Sequence, residues 1–196
     1  MDMMNTRWIV VAALVVVALI ALAVWLSQRK RQSKRLQDRF GPEYDKTVRD
    51  LGSPTKAELE LKSREQRVEH LDIVALAPAE AVRFSDTWNS LQGRFVDNPQ
   101  GVVVQAEQVV RELMLKRGYP MADFERRAAD ISVDYPGVVQ NYRAAQAIAV
   151  RGARGEASTE ELRKAVVHYR SLFDELLEVR EATQAVAPVT QMAVQS

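Results

Sequence analysis

The 196-residue chain contains no cysteine and only two histidines, His70 and His168. Without cysteine it has no disulfides, no thiolate metal sites and no cysteine nucleophile. Carboxylate-bridged metal sites in helical bundles need a Glu three residues before a His, but Arg67 and Ala165 occupy those positions. The His-Glu-x-x-His pattern of zinc proteases is missing too. We therefore predict no metal and place both histidines at a helix surface or boundary.

Glycine patterns that bind phosphates or support nucleophilic catalysis are also missing. Gly41 precedes the pair Lys46-Thr47, but the second glycine of a phosphate loop is absent and carboxylates at Glu43 and Asp45 occupy the cradle. Neither a Gly-x-Ser-x-Gly turn nor a dinucleotide-binding glycine pattern occurs. The sequence predicts no cofactor and contains no recognisable catalytic motif, which leaves open whether the protein is an enzyme.

What the chain does contain is an apolar run from Trp8 to Leu26 without charge, amide or hydroxyl. As a helix that rises 1.5 Å per residue, this run is roughly 28 Å long, close to the roughly 30 Å hydrocarbon core of a bilayer. Trp8 and Trp25 lie near its ends, where indole rings prefer the headgroup region. We predict a transmembrane helix over residues 8–26, with the lipid bilayer as its partner.

The charges that flank this run predict its orientation. Only Arg7 and Asp2 carry side-chain charge before it. Six basic residues follow it: Arg29, Lys30, Arg31, Lys34, Arg35 and Arg39. The positive-inside rule then places residues 1–7 outside the cell (plasma or inner) membrane and the C-terminal domain in the cytoplasm. The basic cluster could also attract anionic lipid headgroups, but a plain topology signal is the simpler interpretation.

A cleaved signal peptide is the alternative interpretation, because Ala21-Leu22-Ala23 has the small residues of a cleavage site. The segment before the run is nearly uncharged, however, and the run exceeds the 7–15 residues typical of signal peptides. The basic cluster directly after it would also resist export. We expect an uncleaved anchor, and the mature N-terminus decides between the two.

The net charge of +1 hides an uneven distribution. Residues 29–39 carry a net charge of +5, whereas residues 40–196 carry −4. The part of the chain nearest the predicted membrane is therefore basic, and the remaining domain is mildly acidic. Because that domain has neither a basic stripe nor the aromatic pattern of RNA-binding modules, we predict no nucleic-acid partner.

Helical periodicity and capping residues predict an all-α protein, with a basic helical stalk over residues 27–52 and an antiparallel bundle over residues 53–180. Gly41-Pro42 should break the stalk. Helices should begin at Ser53-Pro54, at Pro78, at Asn98-Pro99 and at Ser158, whose spacing to Glu161 is that of a capping box. We expect the helix that begins at Pro54 to reach about Leu76, and a short helix over residues 121–131.

Two apolar seams identify the predicted core, because their members follow one another mostly at three- and four-residue steps. They comprise Val82, Phe84, Trp88, Leu91 and Phe95, and then Leu162, Val166, Tyr169, Phe173 and Leu176. Residues 181–196 lack a persistent apolar face, and we predict a disordered tail there.

Two helix ends join an aromatic residue to a proline, in Arg117-Gly118-Tyr119-Pro120 and in Asp134-Tyr135-Pro136. We interpret each as a packed corner whose ring covers the end of the bundle. The alternative is an exposed recognition edge formed by Arg117, Tyr119, Tyr135 and Arg143, since Tyr and Arg are frequent in binding hot spots. The exposure of the two tyrosines distinguishes these interpretations.

Several segments together resemble a group of bacterial proteins described only as hypothetical membrane or secreted proteins. The segments are Arg35-Leu36-Gln37-Asp38-Arg39-Phe40-Gly41-Pro42-Glu43-Tyr44-Asp45, Arg94-Phe95-Val96-Asp97-Asn98-Pro99, Arg117-Gly118-Tyr119-Pro120 and Asp123-Phe124-Glu125-Arg126-Arg127-Ala128-Ala129-Asp130. The similarity extends from residue 8 to about residue 180. It implies a bacterial origin and supplies no activity, cofactor or catalytic residue.

The sequence thus predicts a membrane-tethered helical module for interaction or scaffolding, whose partner is a second copy or another protein. The alternative is an enzyme or ligand-binding domain whose site has no motif. Arg83, Arg94, Tyr142 and Arg143 are candidates for such a site, because they adjoin apolar seams. That alternative requires a pocket of roughly 300 Å³ or more.

Overall fold

The computed structural model describes residues 2–178, and it describes side chains over residues 14–177 except at residues 15 and 18. Every regular element in this part of the chain is an α-helix, which confirms the predicted all-α class. The helices are α1 Asp2–Phe40, α2 Pro42–Leu51, α3 Pro54–Glu69, α4 Pro78–Gly93, α5 Pro99–Lys116, α6 Phe124–Asp134, α7 Val139–Ala153 and α8 Thr159–Glu178. The tail predicted over 181–196 lies outside the described residues.

The chain forms two compact units, one up to Leu61 and one from Lys62 onward. The division falls inside α3, whereas the sequence pattern suggests a boundary before it, at residue 53. In the first unit, α1 is a single helix of 39 residues that contains both the predicted transmembrane segment and the first part of the predicted stalk. It ends at Gly41, whose φ is 47°, and α2 begins at Pro42, as the Gly-Pro pair predicts.

No helix carries a run that is long and apolar enough to cross a membrane within the residues whose side chains are described. The predicted anchor residue Trp8 and the extracytoplasmic segment 1–7 lie outside those residues, whereas Trp25 lies among them and is exposed.

The second unit is a bundle in which α8 packs against α5 and α7. An ion pair of 3.1 Å joins Glu80 in the first turn of α4 to Lys116 in the last turn of α5, so these helices run antiparallel. Tyr169 of α8 donates to the Gln146 side chain of α7, and Arg151 near the end of α7 pairs with Glu161 near the start of α8. The α7–α8 pair is therefore antiparallel too, which confirms the predicted helical bundle.

Stacked and edge-on aromatic rings fill the centre of this bundle. Trp88 of α4 and Phe173 of α8 stack with their ring centroids 4.6 Å apart, and Tyr142 of α7 meets Tyr169 of α8 edge-on at 6.2 Å. One predicted member of the first seam, Val82, is 60% exposed. It lies one position beyond Ala81, and a step of one residue turns a side chain by about 100° from the buried face of a helix.

Capping residues open the helices as the sequence predicts. The Asn98 side chain accepts a hydrogen bond of 3.0 Å from the Gly101 amide at the start of α5. At the start of α8, the amide of Ser158 donates to Glu161 and the amide of Glu161 donates to the Ser158 hydroxyl, the two bonds of a capping box. The predicted short helix over 121–131 instead begins at Phe124, because Asp123 caps it.

The predicted extent of α3 is wrong, because the helix ends at Glu69 and residues 70–77 leave the helical path. The Val74 amide donates to the Arg117 carbonyl at 2.9 Å, so this segment lies along the end of α5. Ala77 has an extended conformation with ψ 146°, the region that a following proline favours. The bond to α5 and the restraint from Pro78 together outweigh the helical pattern of this segment.

Gly118 permits the close approach of this segment to α5. It has φ 98°, and a Cβ at this position would clash with the carbonyl oxygen of Asp72. Gly118 also occupies the left-handed position of a Schellman motif, in which the Tyr119 amide donates to the Met114 carbonyl and the Gly118 amide donates to the Leu115 carbonyl.

We predict that Gly118→Ala lowers the free energy of unfolding of the full chain by about 3 kcal/mol, because it adds backbone strain and a backbone clash. The matched control is Gly155→Ala, where φ is 74° but nothing lies within 4 Å of the added Cβ, and it should cost about 1 kcal/mol. Chemical unfolding in detergent, followed by circular dichroism, measures both. Equal losses would contradict the clash.

Candidate functional site

The six predicted basic residues divide into two rows on α1. Arg29, Lys30 and Lys34 share a groove of about 550 Å³ with Pro54, Thr55 and Glu58 of the first two turns of α3. Arg31, Arg35 and Arg39 follow one another at four-residue steps, so they form a neighbouring row along the same helix. The groove beside this second row is lined, among the described residues, by α1 alone.

Two contacts fix Arg29 at the groove. Its Nη2 donates to the Thr55 hydroxyl at 3.0 Å, and its guanidinium lies 5.6 Å from the centre of the Trp25 ring. On the opposite wall, Glu58 accepts a hydrogen bond of 3.2 Å from the Tyr44 hydroxyl. Lys30 and Lys34 make no ion pair with the described part of the chain. The groove therefore combines one oriented guanidinium with two ammonium groups that remain available.

The corner after α5 is packed in the structure. Arg117 and Tyr119 are buried, and Tyr135 is half-buried. The Tyr119 hydroxyl donates to Asp134 at 2.5 Å, and Nη1 of Arg117 donates to the Leu176 carbonyl at 2.7 Å. This bond ties the guanidinium after α5 to the backbone of α8 at a buried position. Arg117 and Tyr119 thus belong to the packed corner and not to an exposed recognition edge.

Burial changes the acid–base properties of both tyrosines at this corner. Burial and the hydrogen bond to Asp134 raise the pKa of Tyr119 far above its ordinary value. Burial also raises the pKa of Tyr135, although the neighbouring Arg117 opposes that change. Both hydroxyls therefore stay protonated at neutral pH, which suits structural hydrogen-bond donors and not a general base.

The other candidate side chains do not converge on one site. Arg143 pairs with Glu125 at 2.5 Å, and Arg94 donates to the Gln105 side chain at 2.8 Å. Arg83 lies exposed over the Phe84 ring. Tyr142 is buried and accepts a hydrogen bond of 3.3 Å from Nε of Arg127. Each therefore supports local packing.

The structure reveals a different polar group, centred on α6. All residues from Arg127 to Val133 are buried, so this helix is enclosed on every side. Oδ1 of Asp130 lies 3.3 Å from Nη2 of Arg67, and its Oδ2 lies 3.9 Å from Nε of Arg126. Arg67 also donates to the Ser63 hydroxyl at 3.0 Å. One buried carboxylate thus positions two guanidinium groups.

These groups line an open cleft of about 790 Å³ between the end of α3 and the start of α6. Leu71, Pro120 and Ala122 contribute apolar surface to it, and His70 lies at its edge. His70 Nδ1 lies 2.5 Å from the Gln66 carbonyl oxygen, which fits a protonated Nδ1. No cluster of three metal-ligating side chains occurs anywhere in the described residues.

Sequence reasoning missed this cleft. Its charged members come from segments more than fifty residues apart, and neither segment carries a motif. The one available signal is the pattern of α6. Arg127 and Asp130 directly precede Ala128 and Ile131 at the same three-residue step, so these charged residues lie next to the apolar face of the helix. Charged side chains on the apolar face of a helix indicate buried, paired groups, but they do not identify the partners.

Comparison with known proteins adds no assignment, since no family model, no curated protein and no solved structure matches this chain.

We predict that Arg117→Met destabilises the full chain by about 2 kcal/mol, because the Leu176 carbonyl loses a charged donor at a buried site. Arg154→Met is the matched control: Arg154 is exposed after α7, and its replacement should change stability by less than about 0.5 kcal/mol. Thermal unfolding in detergent measures both. If the two variants melted together, this role of Arg117 would be excluded.

Proposed function

We propose that the protein is a single-pass, membrane-anchored helical module that acts in interaction or scaffolding at the cytoplasmic face of the cell membrane. Residues 8–26 span the bilayer, residues 1–7 lie outside, and the bundle faces the cytoplasm. The resemblance to hypothetical bacterial membrane proteins agrees with a bacterial inner membrane.

One observation carries this proposal. From Leu14 to Leu26, every described large apolar side chain of α1 is between 49% and 64% exposed. These residues follow one another on all sides of the helix, and about half or more of each side chain is exposed. A helix that is apolar on every side is stable either inside a protein core or in lipid. The same helix continues unbroken from this apolar run into the basic residues from Arg29. A lipid bilayer suits both parts of α1, because its core accepts the apolar run and its headgroup region accepts the charges.

The charges support the proposed orientation. The net charge of +5 over residues 29–39 immediately follows the apolar run, whereas the remaining domain carries −4. Basic flanks stay on the cytoplasmic side. A mildly acidic bundle is repelled by an anionic membrane surface, so it would be presented to a protein partner or a second copy and not held against the lipid.

We predict that Val16→Arg combined with Ile20→Arg prevents insertion, because each charge at the centre of the span costs about 2.5–3.5 kcal/mol. The wild-type chain should remain in the membrane fraction after alkaline extraction, and the variant should be released. Protease added to intact cells should spare residues 40–196 of the wild type, and permeabilisation should expose them.

The control for this experiment adds the same charges to the bundle, as Val82→Arg combined with Val96→Arg, because both valines are exposed. This variant should fractionate like the wild type. Release of the wild-type chain by alkali would disprove the anchor. Cleavage of the bundle in intact cells would reverse the orientation.

A ligand-binding domain is the second candidate, and the cleft beside Asp130 favours it. Its volume exceeds the size that this alternative requires. Arg126 is half exposed there, and within the described part of the chain its side chain makes only the long contact with Asp130. A small carboxylate or phosphate compound would find an oriented guanidinium beside an apolar floor.

If the cleft binds such anions, citrate or inorganic phosphate should raise the melting temperature of the full chain, and Arg126→Gln should abolish the increase. The variant itself should cost less than about 1 kcal/mol, because the ion pair it removes is long and partly exposed. Arg111→Gln, on the exposed face of α5, should respond to the anions like the wild type. If neither anion raised the melting temperature, or if both variants responded equally, this assignment of the cleft would be excluded.

A further inference from the structure

The basic residues after the apolar run have two separable roles. A topology signal depends on the number of cations near the membrane and not on their arrangement. By that criterion, the row Arg29, Lys30 and Lys34 and the row Arg31, Arg35 and Arg39 are equivalent, since each carries three charges. The structure distinguishes them, because the groove along the first row is lined by α3 as well as α1, whereas the described lining of the groove beside the second row is α1 alone.

We infer that this groove, between the basic face of α1 and the first turns of α3, is a binding site for the phosphodiester headgroup of an anionic phospholipid. The inference rests on the proposed function, because it needs the bilayer to begin at about Leu26. It goes beyond that function by assigning a ligand to these residues. A signal for membrane orientation would need their charge but no groove.

The position of the groove along α1, just beyond the proposed span, fits a lipid headgroup. Leu26, the last residue of the apolar run, is also the first residue along α1 to line the groove. At 1.5 Å per residue, Arg29 and Lys30 lie roughly 5–6 Å beyond it. Arg29 contacts the ring of Trp25, and indole rings prefer the headgroup region. The cationic end of the groove is therefore the end nearest the lipid.

The distribution of charge along the groove also favours phosphate at this end. Its two carboxylates belong to Asp38, which lies roughly 18 Å beyond Leu26 along α1, and to Glu58, which accepts the Tyr44 hydroxyl. Arg29, Lys30 and the Thr55 hydroxyl surround the lipid-facing end. A phosphodiester there could accept hydrogen bonds from both cations while Thr55 holds the guanidinium of Arg29 in place.

The wall formed by α3 contributes more than Thr55. The amides in the first turn of a helix have no partner within that helix and carry the positive end of its dipole. In α3 this turn lies beside the two cations, and the first intrahelical bond runs from the Ala57 amide to the Ser53 carbonyl. The groove beside the row of Arg31, Arg35 and Arg39 is lined, in the described part of the chain, by α1 alone. The two rows should therefore differ in selectivity even though their charge is the same.

The test uses the full chain in nanodiscs of phosphatidylcholine that contain a trace of lipid with a spin label on its acyl chain. Electron paramagnetic resonance measures how strongly the protein prefers labelled phosphatidylglycerol over labelled phosphatidylcholine. We expect a clear preference in the wild type. Arg29→Gln combined with Lys30→Gln should reduce it roughly thirtyfold, since each cation near the surface contributes about 1 kcal/mol.

Arg31→Gln combined with Arg35→Gln is the control, because it removes the same number of charges from neighbouring turns of α1. Its preference should fall several times less than that of the first double variant, because the groove beside Arg31 and Arg35 is lined by α1 alone, whereas diffuse attraction would lower both preferences by a similar factor. Thr55→Val removes the hydroxyl that holds Arg29 without changing charge, so it should also weaken the preference, whereas Thr55→Ser should retain it. Circular dichroism of each variant confirms that the helices are kept.

Equal losses in the two double variants would overturn the groove in favour of diffuse attraction. An unchanged preference in Thr55→Val would show that α3 takes no part in lipid binding, and it would overturn the proposed site as well. If inorganic phosphate displaced the labelled lipid, the groove would be a general phosphate site and not a lipid site. In all three cases the protein remains in the nanodisc. Failure of the wild type to enter nanodiscs would instead overturn the proposed anchor.

Discussion

The turn after α5 is the constraint on which the bundle depends. Three elements meet at two adjacent residues: the carbonyl of Arg117 accepts the Val74 amide, its guanidinium donates to the Leu176 carbonyl of α8, and Gly118 lets the segment before α4 approach. Neither residue could be exchanged with the other. Arg117 must reach a carbonyl in the last turn of α8, and Gly118 must take a φ of 98° without a Cβ. The positions of α4, α5 and α8 are therefore coupled through one short turn.

Local chemistry made much of the fold predictable. The helix start at Pro78 follows from proline at the first helical position, and those at Asn98-Pro99 and Ser158 follow from capping groups that act within four residues; the structure has all three. The end of α3 was not predictable, because a bond from Val74 to a residue more than forty positions later decides it. Sequence periodicity measures whether a helix would have an apolar face. It does not measure whether another element competes for the same backbone groups.

The two candidate sites also differ in how far they could be predicted from the sequence. The six basic residues of α1 could be found in the sequence, since they lie close together directly after the apolar run. Their division into two rows could not, because the wall at Thr55 belongs to a helix that begins after two breaks in the chain. The cleft at Asp130 left no pattern, since its arginines come from distant segments. Buried ion pairs require a partner at close range, and a sequence does not reveal which of many arginines supplies it.

The continuity of α1 has a consequence for how the proposed lipid site could be controlled. In an unbroken helix, successive residues are about 100° apart around the axis, so a rotation at one end is transmitted to the other. No proline or glycine interrupts Asp2–Phe40. The angle at which the span sits among lipids or other spans therefore also sets the direction that Arg29 and Lys30 face. A one-residue insertion near Leu26 would keep every charge and the span while turning the span about a quarter of a turn relative to the basic row and its wall. In the proposed anchor, the unbroken helix thus fixes the direction in which the basic residues face about the helix axis, and not only how many of them there are.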